Sequence, residues 1–374
     1  MTHVFIVNEQ SFKIHLENMF AGTGNAISNI HFLTNSGSGT VTSFEEKCSI
    51  LMLADLERIR IGDNILFFVT GVSKFFGVFE AVSEVFVDDI EDNYLSNLTG
   101  KTLPYRIMIK PKEVFSRGVS EYIVLDSLQG ISRPQDMCWS LIYRKLKGNR
   151  GCTPITDFEF DRIYKLLKKE NDNLMVQSVG YSYLGSQIVC TDVSYPYKGK
   201  MIDPHPSIFL NLYRKYNSNS AFEHYVQLFT INTLKLQPQN ILSEKYDVCW
   251  IGNEVSCGVG MQRIDAMAIQ YDECSNTYYL SIIELKDESI KEEIIYQIER
   301  YLKWLSDYII PTYVDRGFNV VVEPIIICKK NKRKQDEIEL SIKKHQWTRY
   351  CSLNVQILDT KIITMKDENG QVKI

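Results

Sequence analysis

Asp265, Glu284 and Lys286 are the residues of this 374-residue chain whose types and spacing could do chemistry. The stretch YYLSIIELKDES, residues 278 to 289, runs apolar through Leu280, Ile282 and Ile283 and then ends in Glu284, Leu285 and Lys286. Residues two apart in a strand share a face, so the Glu284 carboxylate and the Lys286 ammonium project together. Upstream, GMQRIDAMAIQYDECSNTYYLSIIELK reads as two apolar runs joined by a polar turn from Asp272 to Thr277, a β-hairpin. A hairpin turning near Asn276 brings Asp265 alongside the other two. Two carboxylates and an ammonium at one place fit a hard divalent cation. Mg²⁺ suits best, because it takes one or two carboxylates and completes its shell with water and phosphate oxygens; Mn²⁺ is expected to substitute. The carbonyl of Leu285 offers a further oxygen, and Lys286 could orient an attacking water and stabilise charge at phosphorus.

These residues need a sheet and helices to hold them. NSAFEHYVQLFTINTLKL, with Ser220 or Asn219 as cap, predicts an amphipathic helix carrying Glu223. YDVCWIGNEV is extended, ESIKEEIIYQIERYLKWLSDYI predicts a long amphipathic helix, and GFNVVVEPIIIC predicts another buried strand. The order helix, strand, strand, strand, helix, strand indicates an α/β domain around a mixed sheet.

The series RID at 263–265, ELK at 284–286 and QIERY at 297–301 resembles the PD-(D/E)XK nuclease superfamily. Archaeal-type mismatch endonucleases and related restriction enzymes carry a similar Gly-x-x-x-Arg-Ile-Asp, Glu-Leu-Lys, Gln-x-x-Arg-Tyr series, with Gly258 or Gly260 in the glycine's place here. The resemblance implies Asp265 and Glu284 as metal ligands with Leu285, Lys286 as catalytic lysine and Glu223 as an accessory acid. It implies Gln297 in support of the site and Arg300 on phosphate. As residues alone, Glu284 and Lys286 also read as a strand-end salt bridge, Glu223 as an exposed helical acid, and Arg300 and Tyr301 as packing and ion-pair residues.

The first part of the chain reads as short strands and turns: NILFFVTG, FFGVFEAVSEVF and YRIMIKPKEVF. Two helices are predicted, TSFEEKCSILMLADLERI and TDFEFDRIYKLLKKEND, the latter capped by Thr156 or Asp157. RIRIGDNILFFVTGVSKFFGVFEAVSEVFVDD (58 to 89) is similar to the EVE and YTH members of the PUA-like barrels, and RGCTPITDFEFDRIYKLL (150 to 167) to the closing helix of EVE domains. Such domains accept a flipped or single-stranded modified base between aromatic faces. By position, IHFLTNSGSG supplies the pocket candidates Phe32, Thr34, Asn35 and Ser36, with Trp139 as a cage wall; the tryptophan familiar from YTH pockets is missing there. Lys74, beside Phe75 and Phe76, is a hairpin-tip residue within reach of phosphate.

The whole is expected to be a two-domain protein of α+β or α/β class. A PUA-like β-barrel with flanking helices would span 1–170, and a PD-(D/E)XK mixed sheet flanked by helices 206–374. Residues 171–205, rich in Ser, Tyr, Gly and Pro, read as a linker or as strands at the edge of the second domain. Nine cysteines without a CxxC pair argue for free thiols rather than a disulfide framework or zinc site. A net charge of −4 does not announce a nucleic-acid binder, but basic runs occur at 143–150, 165–169 and 328–334, the last including Lys330 and Lys332 as phosphate contacts. No stretch approaches the roughly 18 to 20 apolar residues of a membrane span, and MTHVFIVNEQ lacks the pattern of a signal peptide, which indicates the cytoplasm. The resulting expectation is a Mg²⁺-dependent, modification-dependent DNA endonuclease acting as a homodimer on duplex DNA with a flipped methylated or hydroxymethylated cytosine. Its rivals are a restriction or mismatch- or flap-directed repair nuclease for unmodified DNA, and a non-catalytic nucleic-acid-binding protein; RNA is not excluded as substrate.

Overall fold

The computed structural model describes residues 1–24, 43–88, 95–99, 103–126, 151–175, 178–218, 222–257, 262–288, 290–329, 335–368 and 370–374. The described chain divides into two compact units, the first through Ser207 and the second from Ile208. Both are mixed α+β. No helix among the described residues is long and apolar enough to cross a membrane.

The first unit is built on a mixed sheet. Its strands are β1 (Thr2–Val7), β2 (Phe20–Thr23), β3 (Asn64–Val69), β4 (Lys74–Ala81), β5 (Phe86–Asp88), β6 (Tyr105–Pro111), β7 (Val119–Ser120), β8 (Cys152–Ile155) and β11 (Met201–Ile202), with a separate hairpin of β9 (Gly180–Leu184) and β10 (Gln187–Thr191). The hydrogen-bonded path runs β11-β5-β6-β4-β3-β1-β8, with β2 on β6 and β7 on β4. Among the described residues that path is open, where a closed barrel was expected. The predicted strands NILFFV, FFGVFEA and YRIMIKP form as β3, β4 and β6, because each is a nearly unbroken apolar run that burial on both faces rewards. Helix α1 (Glu9–Asn18) places Phe12 against Phe67, Phe76 and Tyr183, an aromatic core with ring centroids 5.1–5.2 Å apart. Helix α2 is Ser43–Glu57, and helix α3, Asp157–Glu170, starts in a capping box between Thr156 and Glu159.

Residues 171–205 are neither a linker nor an edge of the second unit. Their hairpin β9–β10 and strand β11, which pairs with β5, belong to the first. Composition misleads here because the tyrosines are structural. The Tyr183 ring packs on Phe12 and Phe76. The Tyr197 hydroxyl accepts from Arg106 at 2.9 Å and donates to Asp88 at 3.2 Å, completing a fully buried Arg106–Asp88 pair.

The second unit holds the candidate chemistry. Helix α4 (His205–Ser218) leads into it, followed by α5 (Glu223–Leu236), β12 (Val248–Cys257), β13 (Gln262–Asp272) and β14 (Thr277–Lys286). After these come α6 (Ile294–Trp304), β15 (Asn319–Lys329), α7 (Gln335–Lys344), β16 (Val355–Ile357), β17 (Lys361–Glu368) and β18 (Gln371–Lys373). The sheet order is β12-β13-β14-β15-β17-β18, with β16 on β15. β12, β13 and β14 are antiparallel, and β14 and β15 are parallel with α6 in the connection between them. The hairpin turn closes where the polar run predicts it. Asp272 accepts from the Cys274 N–H at 2.9 Å and the Ser275 hydroxyl at 2.5 Å, and Asn276 takes the left-handed conformation at φ 52°.

Candidate functional site

The β13–β14 ladder stops at Ala266 opposite Ile283. Continuing the same register sets Asp265 directly opposite Glu284, so the hairpin loses its pairing where two acids meet. On the other side of β13 the register is also interrupted at this residue. Asn253 faces Ala266 and Val255 faces Ile264, but Glu254, opposite Asp265, is left-handed at φ 46° and unpaired with it in the ladder. A non-glycine residue seldom holds that conformation, and such outliers concentrate at functional sites.

In place of the missing rung, the Leu285 N–H donates to Asp265 Oδ2 at 2.8 Å. The N–H and C=O of one strand residue leave on the same side, so the Leu285 carbonyl faces the same gap. Glu284 is 2 % exposed. Its Oε1 accepts from Lys286 Nζ at 2.5 Å and from Gln297 Nε2 at 2.6 Å, and its Oε2 lies 2.9 Å from the Tyr301 hydroxyl. That hydroxyl shares its single proton between Glu284 and the Arg263 carbonyl at 2.8 Å, while accepting from Gln297 at 2.7 Å. Gln297 and Tyr301 are one turn apart on α6, whose buried face is Ile294, Ile298, Tyr301 and Leu302. One amphipathic stripe therefore packs the helix and presents both polar groups to one carboxylate.

Helix α5 approaches from the other direction. Gln227 donates to the Asp265 carbonyl at 3.1 Å and to Asn253 Oδ1 at 2.7 Å. Glu223, one turn earlier, begins the helix and adds its negative charge to the field at Asp265 and Lys286. Burial first, and then the Glu284 carboxylate, push the Asp265 carboxyl well above its ordinary value; the Leu285 N–H and Lys286 pull it back only in part, and Glu223 adds to the push. Burial alone would lower Lys286, but Glu284, Asp265 and Glu223 raise it above its ordinary value, so its ammonium is charged at neutral pH. Three acids around one lysine leave the cluster short of positive charge.

This donor set suits a hard cation of a particular kind. Among the described residues no three His, Cys, Asp or Glu side chains form a complete metal cage. A cation here would take Asp265 Oδ1, the remaining acceptor site on Glu284 Oε2 and the Leu285 carbonyl, and fill the other positions with water or phosphate oxygens. A carboxylate has about four acceptor sites, and three donors occupy Glu284. Few protein ligands and several exchangeable ones is the habit of Mg²⁺.

Asp265, Glu284, Lys286, Leu285, Gln297 and Glu223 are thus brought together. Arg300 is not part of the cluster; it is exposed on the outer side of α6 and its Nε donates to Gln262 at 3.1 Å. Lys74 lies in the first unit, half-buried at the start of β4 and paired with Val69 and Ser120. Phe32, Thr34, Asn35, Ser36, Trp139, Lys330, Lys332, Gly258, Gly260, Asn219 and Ser220 lie outside the described residues. Sequence reasoning missed Gln227 and Asp287. Gln227 had a signal, since it shares a helix face with Glu223 four residues before it; Asp287, which accepts from the Phe222 N–H at 2.9 Å, had none.

No family model matches the chain, and no curated protein matches it. Solved structures do. One is a hypothetical protein from Leishmania major, at 10% identity over 45% of this chain and 95% of its own, with a TM-score of 0.30. A second is the human THYN1 protein in complex with DNA containing 5-methylcytosine, at 9% identity over 45% of this chain and 97% of its own, TM-score 0.25. A third is the YTH domain of the Zygosaccharomyces rouxii MRB1 protein in complex with N6-methyladenosine RNA, at 17% identity over 48% of this chain and 90% of its own, TM-score 0.25. Likenesses at these TM-scores carry no argument about the role of this chain.

Proposed function

We propose that the chain is a Mg²⁺-dependent DNA endonuclease whose second unit hydrolyses phosphodiesters and whose first unit selects the target by a modified cytosine. The observation that carries the nuclease reading is the pair Asp265 and Glu284, set opposite one another where the hairpin ladder breaks, with Lys286 two residues on. Like charges opposed across a hairpin destabilise it, so a purely structural role for both acids is unfavourable unless a cation joins them. Bound there, Mg²⁺ would polarise a phosphate oxygen and acidify a water.

The protein's own groups supply the rest. Gln297 and Tyr301 fix the Glu284 carboxylate from the helix side. The Leu285 N–H fixes Asp265, and Gln227 ties down its backbone. Lys286 holds its proton and offsets charge gathering at phosphorus. Selection by a methylated or hydroxymethylated cytosine rests on the EVE and YTH resemblance of residues 58 to 89, which here form β3, β4 and β5. Cutting both strands of a duplex needs two such sites, hence a homodimer.

The test is incubation of purified protein and Mg²⁺ with matched plasmids, one unmodified and others carrying methylated or hydroxymethylated cytosine, beside Glu284→Ala. Cleavage of a modified plasmid alone, lost in the variant, is the expected result. Cleavage of every plasmid would retain the nuclease and remove the modified base. Cleavage of none, with mismatched DNA and RNA also untouched, would leave a nucleic-acid-binding protein.

A further inference from the structure

Helix α5 begins without a side-chain cap of its own: its N-cap residue is Phe222, which offers none. The first turn of a helix leaves backbone N–H groups without partners and carries a partial positive charge. Here the Phe222 N–H is met from another element, by Asp287 Oδ2 at 2.9 Å. Asp287 directly follows Lys286, the last residue of β14, and Glu223 directly follows Phe222. The junction is packed as well as hydrogen-bonded. The Phe222 ring is buried, and Lys329 at the end of β15 lies 5.6 Å from its centroid and feels the charge of Asp287. One turn further along α5, Gln227 makes the second tie, to the Asp265 carbonyl.

Two ties therefore bracket Glu223, one to the end of the Glu284 strand and one to Asp265 itself. Gln227 fixes the helix along its length but leaves its first turn free to swing; Asp287 removes that freedom. We propose that Asp287 is a positioning residue, which sets the Glu223 carboxylate against the cation held by Asp265 and Glu284 without touching that cation. The proposal rests on the metal-site reading given above.

The test is Mn²⁺ binding to the full chain without DNA, followed by loss of the free-ion electron paramagnetic resonance signal. Wild type is compared with Glu223→Gln, Asp287→Ala, Asp287→Asn and the double variant Glu223→Gln/Asp287→Ala, with circular dichroism on each. Both single variants Glu223→Gln and Asp287→Ala are expected to weaken binding roughly tenfold, the equivalent of about 1.4 kcal/mol. Asp287→Asn keeps an acceptor oxygen and is expected to restore most of that loss. The double variant is expected to bind no more weakly than Glu223→Gln alone, since the two residues act through one carboxylate. Wild-type affinity in Asp287→Ala, or losses that multiply in the double variant, would overturn the proposal. Absence of binding by wild type would overturn the metal site itself, and that outcome is distinct because it precedes any variant.

Discussion

Replacing Asp265 by Asn should make the metal-free protein more stable, which is the reverse of what most substitutions at partly buried positions do. The register sets Asp265 and Glu284 opposite one another, and opposed side chains in a hairpin have Cβ atoms about 5 Å apart. At an effective dielectric constant of about 20, two unit charges at that distance repel by about 3 kcal/mol. Part of this is already relieved by proton uptake, since the Asp265 carboxyl is held well above its ordinary value by burial and by Glu284. Asn retains an oxygen for the Leu285 N–H, but exchanging a charged acceptor for a neutral one costs about 1 kcal/mol. The net expectation in the presence of chelator is a gain of about 1 kcal/mol, which at a slope of about 2 kcal/mol per molar is a urea midpoint higher by about 0.5 M. Trp250, Trp304 and Trp347 are all buried in the second unit, so tryptophan fluorescence reports its unfolding. Saturating Mg²⁺ should then reverse the order: wild type gains about 2.7 kcal/mol at a hundredfold excess over its dissociation constant, and the variant gains little. A variant less stable than wild type in chelator, or equal Mg²⁺ responses, would refute the reading of Asp265 as an uncompensated ligand.

Tyr301→Phe keeps the ring but removes a hydroxyl bonded to buried Glu284, and should cost about 1.5–3 kcal/mol in the same urea assay; an unchanged midpoint would show that the hydroxyl does not hold the carboxylate. His205 lies between Glu57 at 2.9 Å and Asp203 at 2.6 Å, and although burial opposes it, the two acids raise its pKa to about 9. Its folded value exceeds the unfolded value of about 6.5, so its contribution, up to about 3 kcal/mol, is full below pH 6.5 and lost as pH rises through 9. The urea midpoint should accordingly fall between pH 6 and pH 9.5 by more in wild type than in His205→Gln, and equal falls would contradict this assignment. Thr156→Ala breaks the capping box of α3 and should destabilise by about 1 kcal/mol, read from the same denaturation curves, with no loss contradicting the cap's role.

Local chemistry made much of the second unit legible. The polar turn between two apolar runs marks the hairpin, and the acid–base ending of β14 marks the place where it opens. What could not be read was anything carried by an unpatterned contact across the chain. Asp287 supports a helix start sixty-five residues before it through one backbone N–H, and no spacing encodes such a bond. The left-handed Glu254 is equally silent, because glutamate is not a residue that signals positive φ. In the first unit, Ser, Tyr, Gly and Pro between 171 and 205 resembled a linker since composition does not distinguish a solvated tyrosine from one filling a core. Tyr183 and Tyr197 are of the second kind.

The most direct measurement is a crystal of the full chain grown with Mn²⁺ and examined for anomalous scattering at the end of the β13–β14 hairpin. The reading predicts a peak about 2.1 Å from oxygens of Asp265 and Glu284, with waters completing the shell. Both carboxylates ordered as they are here, bound to the Leu285 N–H and to Lys286, Gln297 and Tyr301 with no peak between them, would contradict it.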